Sequence, residues 1–247
     1  MEKTKYGVSI FGGRQIIPPK PMYIKHKSKF LPRSHVLASI VGGSGSGKST
    51  FLLSIIDSFY NLSQIMVCSL IVGNPVYDSI ENYCKDTKKE YFFSSNPIEA
   101  QEIIGEMIDK KEPSKWGLII FDDFNQGRVN SGSNAFTKCT SMSACMLRNY
   151  GYNMIFITQS AINIPTIIRN NLNMRVVYRL NNKTDIQSQR QDFSTCVGIN
   201  PRLFMKLYRT ISDIPYSFIL LSDDNLYIYV NGESEQPEKI KFNKDDE

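Results

Sequence analysis

The sequence predicts an α/β fold in which a mostly parallel sheet carries helices on both faces. Short apolar runs alternate along the 247-residue chain with longer segments whose apolar residues have helical spacing. Several of the short runs are apolar throughout, such as LIIF at residues 118–121 and MIFI at residues 154–157. Such runs are typical of strands that are buried on both faces. The hydrophobic content of 41% is enough for one sizeable core.

The individual elements follow from local composition and spacing. We expect strands at residues 36–42, 65–73, 90–95, 116–123, 153–159 and 174–180. We expect helices at residues 48–60, 77–85, 97–111, 135–150, 164–173, 183–192 and 200–210. The third helix illustrates the reasoning, because it begins at Pro97 and places Ile98, Ile103 and Met107 on one side. An Asn-, Ser- and Gly-rich loop is expected at residues 125–134.

Charge divides the chain into a basic N-terminal arm (1–35), an α/β domain (36–232) and a charged C-terminal tail (233–247). The domain ends in a predicted β-hairpin at residues 216–232. The arm has eight Lys or Arg and one acidic residue, whereas residues 232–247 have six acidic residues and three lysines. Such an arm could bind a polyanion, either nucleic acid or the acidic tail of another subunit. A solvated arm that binds no partner is an equal alternative.

Composition excludes several classes of protein. The five cysteines are an odd number without a C-x-x-C pair, which favours reduced thiols over a disulfide framework or a zinc site. The only histidines are His26 and His35, so a histidine-based triad in the core is excluded. No apolar run approaches the roughly 20 residues of a membrane span, and we find no secretory signal, so we expect a cytosol-like compartment.

A glycine-rich loop at residues 42–50, GGSGSGKST, fits the phosphate-binding pattern G-x-x-x-x-G-K-[ST] between a predicted strand and a predicted helix. Glycines let the backbone N–H groups turn toward phosphate oxygens, and the helix N-terminus adds its positive dipole end. Lys48 is positioned to reach the β- and γ-phosphates, and Ser49 to ligate Mg²⁺. The expected nucleotide-binding residues are Gly42, Gly43, Ser44, Gly45, Ser46, Gly47, Lys48, Ser49 and Thr50.

Two adjacent acids end the apolar strand LIIFDD, about 70 residues after the phosphate-binding loop. An Asp at the end of such a strand holds Mg²⁺ opposite the loop hydroxyl, and we assign this role to Asp122. Asp123 follows where a second carboxylate can activate the attacking water. Adjacent strand residues point to opposite faces, so the alternative for one of the two acids is a helix cap or a solvated strand end.

Two further polar candidates come from the second half of the domain. Gln159 ends the strand NMIFITQ, where it can sense the γ-phosphate or the water; the alternative is that it caps the turn that follows. Arg148 precedes that strand, at the edge of the sheet opposite the catalytic end. There it could face the nucleotide of a neighbouring subunit and act in trans as an arginine finger, although a surface salt bridge explains it equally well.

The order of these motifs resembles the FtsK–HerA superfamily of P-loop ATPases, most closely its viral genome-packaging branch. The resemblance covers residues 36–180 and rests on GGSGSGKS, LIIFDD, Thr158-Gln159 and the run Ile164–Asn170. It implies a RecA-like fold and Mg²⁺-dependent ATP hydrolysis. It also implies a homo-oligomeric ring, a hexamer or pentamer, that moves double-stranded DNA into a preformed capsid with capsid vertex proteins as partners. The implied location is the viral factory in the host cytoplasm or the virion.

Other functions compete with this interpretation. A small-molecule or nucleotide kinase would need an arginine-rich lid, and no compact arginine cluster lies near residues 110–135. A non-catalytic assembly protein that binds nucleotide is disfavoured by the intact set of Lys48, Ser49, Asp122 and Asp123. The sequence Asn182–Asp185 matches the guanine-reading pattern N-K-x-D, but the D-x-x-G that a GTPase needs after the acidic strand is missing.

Overall fold

The computed structural model describes residues 10–11, 14–15, 26–110, 115–123, 147–223, 225–233 and 235–240. It shows a nine-stranded, mostly parallel sheet with helices on both faces and so confirms the predicted fold class. The strands are β1 (Ile10–Phe11), β2 (Arg14–Gln15), β3 (Leu37–Val41), β4 (Leu62–Ser69), β5 (Glu90–Ser94), β6 (Trp116–Asp122), β7 (Tyr152–Thr158), β8 (Met174–Val177), β9 (Phe218–Ser222), β10 (Asn225–Tyr229) and β11 (Glu238–Lys239). The helices are α1 (Lys48–Ile56), α2 (Pro75–Asp86), α3 (Pro97–Lys110), α4 (Thr166–Arg169), α5 (Lys183–Val197) and α6 (Pro201–Asp213).

The order of strands places β3 near the middle of the large sheet. From one edge to the other the order is β11-β10-β9-β8-β3-β7-β6-β4-β5, while β1 and β2 form a separate two-stranded ladder. The six strands from β8 to β5 are parallel, and β9, β10 and β11 extend the sheet in antiparallel fashion. The carboxyl ends of the six parallel strands therefore meet at one edge, where open α/β sheets bind ligands.

Alternating side chains divide the core into two layers, one on each side of the sheet. On β6, Leu118 and Ile120 pack on the side of α1 and α2, whereas Ile119 and Phe121 pack on the side of α3, α5 and α6. The strand is buried along its whole length, which explains why its sequence is apolar without alternation. Asp122 comes two residues after Ile120, so the period of the strand directs it to the side of α1 and α2.

Capping residues explain why α2 and α5 have bounds that differ from the sequence predictions. α2 begins two residues earlier than expected because the Asn74 side chain accepts a hydrogen bond from the Val76 amide and Pro75 fills the first helical position. α5 extends to Val197 and ends at Gly198, which adopts a left-handed conformation. In the region predicted as one helix at 164–173, only α4 (Thr166–Arg169) is helical, and a separate 3₁₀ turn (Ala161–Asn163) precedes the region.

Both ends of the predicted domain continue into flanking sequence. Leu31, in the expected basic arm, is buried with residues of α1 in the same core layer. At the other end, β11 lies in the expected C-terminal tail and pairs with β10 of the domain. The predicted loop at 125–134 and residues 135–146 of the next predicted helix lie outside the described residues, and residues 147–150 form a 3₁₀ turn. Among the helices that the structure describes, none has the length and apolar character needed to span a bilayer.

A substitution at Gly117 tests how closely β6 and β7 pack. It pairs in register with Tyr152, and a methyl group at Gly117 would overlap the Tyr152 ring, which is fully buried and donates its hydroxyl to Gln64. We expect Gly117→Ala to lower the free energy of unfolding by about 2–3 kcal/mol, the usual cost of overpacking, as measured by urea denaturation.

The matched control for Gly117→Ala is Gly105→Ala, in the exposed part of α3, where no described residue lies within 4 Å of the added methyl group. This substitution should raise the free energy of unfolding by roughly 0.5–1 kcal/mol, because alanine favours a helix over glycine. Equal effects of the two substitutions would contradict the packing described for Gly117.

Candidate functional site

The phosphate-binding loop connects β3 to α1 with the backbone geometry that its glycines allow. Gly45 and Gly47 have φ angles of 71° and 99°, in the left-handed region that favours glycine. A side chain at Gly42 would collide with Ser46 Oγ and Tyr178 Cβ, both 2.6 Å from the position that its Cβ would occupy. Flanking hydrogen bonds hold the loop, from the Gly42 amide to Thr158 O and from the Gly43 amide to Arg179 O.

Two polar groups inside the loop are arranged to bind an anion. Lys48 is buried, and its Nζ donates hydrogen bonds of 2.9 Å to the carbonyl oxygens of Gly42 and Gly43. An ammonium group has three donors, so these bonds leave one for a ligand. The Ser46 hydroxyl is buried and has no hydrogen-bond partner among the residues that the structure describes. A buried hydroxyl without a partner is costly, and a bound phosphate oxygen would satisfy it.

Asp122 ends β6 on the same side of the sheet as α1 and is 8% exposed. Its Oδ2 accepts a hydrogen bond of 2.6 Å from the Tyr77 hydroxyl. That hydroxyl also lies 2.8 Å from Ser69 Oγ, at the end of the neighbouring strand β4. The short bond from a phenol to a carboxylate fixes the orientation of Asp122.

Asp123 leaves the strand and faces Gln159. Its φ of 46° is left-handed, which breaks the strand alternation that would have separated it from Asp122. The Asp123 carboxylate accepts hydrogen bonds from the Gln159 side chain (Nε2 to Oδ2, 3.1 Å) and from the Gln159 backbone amide (3.2 Å). The second acid and the predicted sensor are therefore direct partners, and Gln159 uses its side-chain amide for this contact.

Burial and charge shift the pKa values of this site in opposing directions. Burial lowers the pKa of Lys48, and the negative charges of Asp123 and Asp122 partly offset that effect. Burial raises the pKa of Asp122; the Tyr77 hydrogen bond lowers it, the Asp123 charge raises it and the Lys48 charge lowers it. Because Lys48 responds to both carboxylates, the end of β6 lies within electrostatic reach of the loop lysine.

The donor set suits Mg²⁺ bound together with a nucleotide. Mg²⁺ is held in such sites by one or two carboxylates plus phosphate oxygens and water, not by an all-protein cage. Consistent with this, no cluster of three or more His, Cys, Asp or Glu that could hold a metal occurs in the described parts of the chain. Asp122 supplies one oriented carboxylate, and Ser49 supplies a hydroxyl in the first turn of α1, next to Thr50. These residues fit the ion.

The predicted arginine finger, Arg148, belongs to the 3₁₀ turn Leu147–Tyr150 that precedes β7, and its side chain is outside the part of the chain that the structure describes. Other arginines of this region have contacts within the chain. The Arg175 guanidinium donates to Arg169 O (2.6 Å) and Leu172 O (3.0 Å), and the Arg169 guanidinium donates to Ser188 Oγ. The Arg175 contacts attach the Ile164–Asn170 run to β8, and the Arg169 contact attaches it to α5.

The N-K-x-D match at Asn182–Asp185 forms the start of α5. Asn182 is its N-cap, with the side chain accepting from the Thr184 amide at 2.8 Å. Asp185 is buried and accepts a hydrogen bond of 2.8 Å from Ser160 Oγ, directly after Gln159. The match is therefore explained by capping and by support of the segment that follows β7.

Sequence reasoning missed Tyr77, Ser69 and the contact between Ser160 and Asp185. These residues are polar side chains at strand ends or helix starts, and they meet only because β4 neighbours β6 and α5 packs beside β7. One signal was available, since Asn74-Pro75 marks a helix start directly after a strand, and Tyr77 falls in the first turn of that helix.

The parallel sheet, the phosphate-binding loop and the acid pair define a P-loop NTPase. Solved structures share this fold at low sequence identity. The genome packaging NTPase B204 from Sulfolobus turreted icosahedral virus 2, in complex with AMPPCP, has 13% identity and a TM-score of 0.55 over 79% of this chain and 96% of that one. The DNA-packaging ATPase B204 from Sulfolobus turreted icosahedral virus has 13% identity and a TM-score of 0.54 over 78% and 95%.

A bacterial structure extends this likeness. EssC (ATPases 2 and 3) from Geobacillus thermodenitrificans has 14% identity and a TM-score of 0.52 over 89% of this chain and 49% of that one. No curated protein matches the chain. The model of the family described as poxvirus A32 protein matches residues 24–201, more than two-thirds of the 247 residues. The chain belongs to this family, which confirms the FtsK–HerA resemblance and its viral packaging branch.

Asp122 is expected to reduce the stability of the nucleotide-free protein. A carboxyl group whose pKa is raised in the folded chain makes the folded state bind more protons than the unfolded state. The free energy of unfolding therefore falls as pH rises above the ordinary carboxyl pKa of about 4. We expect Asp122→Asn to raise the free energy of unfolding by about 1 kcal/mol at pH 7, with a smaller gain at pH 4.

Thermal denaturation of the wild type and Asp122→Asn at both pH values measures this effect. Glu102→Gln, on the exposed side of α3, is the control for loss of one negative charge. A destabilised Asp122→Asn at pH 7, with Glu102→Gln unchanged, would contradict the conclusion that burial dominates at Asp122.

Proposed function

We propose that this chain is an ATP-hydrolysing motor that translocates double-stranded DNA and packages a viral genome into a preformed capsid. The observation that carries the catalytic part is the contact of Asp123 with Gln159, next to the buried pair of Lys48 and Asp122. Membership of the poxvirus A32 protein family and the fold shared with B204, which is described as a genome packaging NTPase, support the biological part.

Each site residue has a separate role in the proposed hydrolysis reaction. Lys48 and the loop amides hold the phosphates, and Ser49 and Asp122 would hold Mg²⁺, which would supply positive charge to the phosphates when bound. Asp123 accepts a proton from water as the water oxygen bonds to the γ-phosphorus, and the bond from that phosphorus to the bridging oxygen breaks to release ADP. Gln159 donates to Asp123 through Nε2, which leaves its amide oxygen to orient the water.

The partners follow from the same proposal. A DNA-translocating ATPase of this class acts as a homo-oligomeric ring, a hexamer or pentamer, around the duplex, in contact with capsid vertex proteins. Leu147–Tyr150 precedes β7 and therefore lies at the edge of the parallel sheet opposite the phosphate-binding loop. An arginine at this edge, Arg148, suits a finger that completes the site of a neighbouring subunit and stabilises the charge of the transferred phosphoryl group.

The first test of the function is steady-state ATP hydrolysis with Mg²⁺, with and without linear double-stranded DNA. We expect the DNA to raise turnover and Lys48→Ala to remove at least nine-tenths of it, because the loop lysine binds the transferred phosphate. Near-normal hydrolysis by Lys48→Ala would refute the site. Hydrolysis that DNA leaves unchanged but a small acceptor stimulates would favour a kinase over a DNA motor.

The second test separates the two acids. Asp123→Asn should bind ATP with near wild-type affinity and lose about 10²–10⁴-fold in turnover, because the Mg²⁺ ligand remains while the base is removed. Asp122→Asn should instead raise the Mg²⁺ concentration needed for half-maximal activity. Measurement of turnover against Mg²⁺ concentration for both variants distinguishes these roles. Full turnover by Asp123→Asn would show that Asp123 is not the base.

A further inference from the structure

A cleft of about 310 Å³ opens beside the phosphate-binding loop, on the side away from the acid pair. Its walls are the loop itself, the residues that follow β8 and the segment 212–217, which comprises the last two residues of α6 and the connection to β9. Its volume is at the lower end of the range for small-molecule sites, about 300–1,000 Å³. Of the catalytic residues assigned above, Lys48, Asp123 and Gln159 do not line this cleft.

Tyr216 forms an exposed aromatic wall of the cleft. It is 57% exposed, and its φ of 65° is in the left-handed region that aromatic residues rarely adopt. Hydrogen bonds on the next residue hold this conformation, from the Ser217 amide to Ile214 O and from the Asn231 amide to Ser217 Oγ (2.9 Å). A strained, exposed aromatic residue that its surroundings hold in place is typical of a ligand-binding segment.

The Tyr216 ring lies next to the start of α1, where the phosphates are expected. Tyr216 Cδ1 is 3.3 Å and Tyr178 Cε1 is 3.7 Å from the position of a Cβ at Gly47. Tyr178 is buried and its hydroxyl donates to Gly47 O, so its ring packs directly beneath the backbone of the loop. The two rings therefore make an apolar surface that begins at the loop and continues into the cleft.

Polar groups complete the cleft on its other sides. The Asn181 amide lies beside Gly43, within 3.0 Å of the position that a Cβ there would occupy. Asp213 supplies a carboxylate at the end of α6, and Ser44 supplies a hydroxyl on the loop side. An aromatic face with a few amide, carboxylate and hydroxyl groups around it matches a nucleobase and a ribose, which present a flat ring and hydrogen-bonding edges.

The strand order indicates how a bound nucleotide would be oriented between the acid pair and the cleft. From β3, the acid pair is reached across β7 on one side, and the cleft is reached across β8 and β9 on the other. A nucleoside triphosphate bound in the loop can therefore direct its γ-phosphate toward Asp122 and Asp123 while its nucleoside end extends into the cleft.

We propose that this cleft is the nucleoside subsite and that Tyr216 stacks on the base of the bound nucleotide. The assignment rests on the proposed function, because it requires a nucleotide with its phosphates in the loop. Stacking on an aromatic face tolerates different bases, so Tyr216 contributes affinity for the nucleoside part as a whole.

The test compares binding of ATP with binding of inorganic tripolyphosphate, which lacks the nucleoside, both measured by calorimetry with Mg²⁺. Tyr216→Ala should weaken ATP binding about tenfold to a hundredfold and leave tripolyphosphate binding unchanged. Tyr216→Phe keeps the aromatic ring and should bind ATP as tightly as the wild type. Tyr60→Ala, which removes a tyrosine that is 51% exposed just after α1 and does not line the cleft, is the control and should alter neither.

Each other outcome identifies which proposal fails. Unchanged ATP affinity in Tyr216→Ala, together with loss of binding in Lys48→Ala, would refute the nucleoside subsite and leave the phosphate site intact. Equal weakening of ATP and tripolyphosphate by Tyr216→Ala would also refute it, since Tyr216 would then only shape the loop. Unchanged ATP affinity in Lys48→Ala would refute the proposed function itself.

Discussion

The parallel pairing of β7 with both β3 and β6 is the constraint on which the site depends. The ladder continues past the strand ends, where Thr158 O accepts the Gly42 amide on one side and Ile157 O accepts the Asp123 amide on the other. One strand thus fixes the first residue of the phosphate-binding loop and the second acid relative to each other. A register shift of β7 would separate these groups and also displace Gln159 at its own end.

The register of this central ladder is protected by burial on both faces. β3, β6 and β7 are buried along their whole length, and successive residues enter opposite core layers, so a slip by one residue would exchange the two layers. The close approach of Gly117 to Tyr152 adds a specific steric match at the start of the β6–β7 pair. The position of the candidate site residues is therefore a consequence of ordinary sheet packing along these strands.

Much of this arrangement could be predicted from the sequence, because it depends on local patterns. The strands, most helices and the loop at residues 42–50 follow from apolar runs, caps and glycine spacing. The partners of the acids could not be predicted in the same way. The side chain of Asp123 lies on the same side as Asp122 because its own φ angle is left-handed, which the sequence does not reveal. The contact of Tyr77 with Asp122 depends on the pairing of β4 with β6. Tyr216 and Gly47 lie far apart in the sequence and meet only through the antiparallel extension of the sheet.

Burial of opposite charges links this site to the stability of the fold. Burial disfavours the charged forms of both Lys48 and Asp122, and each charge only partly compensates the other. Under the proposed function, a nucleotide would bring phosphate oxygens to Lys48 and a divalent cation to Asp122, and each would offset a buried charge. Part of the binding free energy would then come from relief of a cost that the folded chain already carries, and ligand binding would stabilise the folded state. A site built in this way favours function over the stability of the nucleotide-free chain.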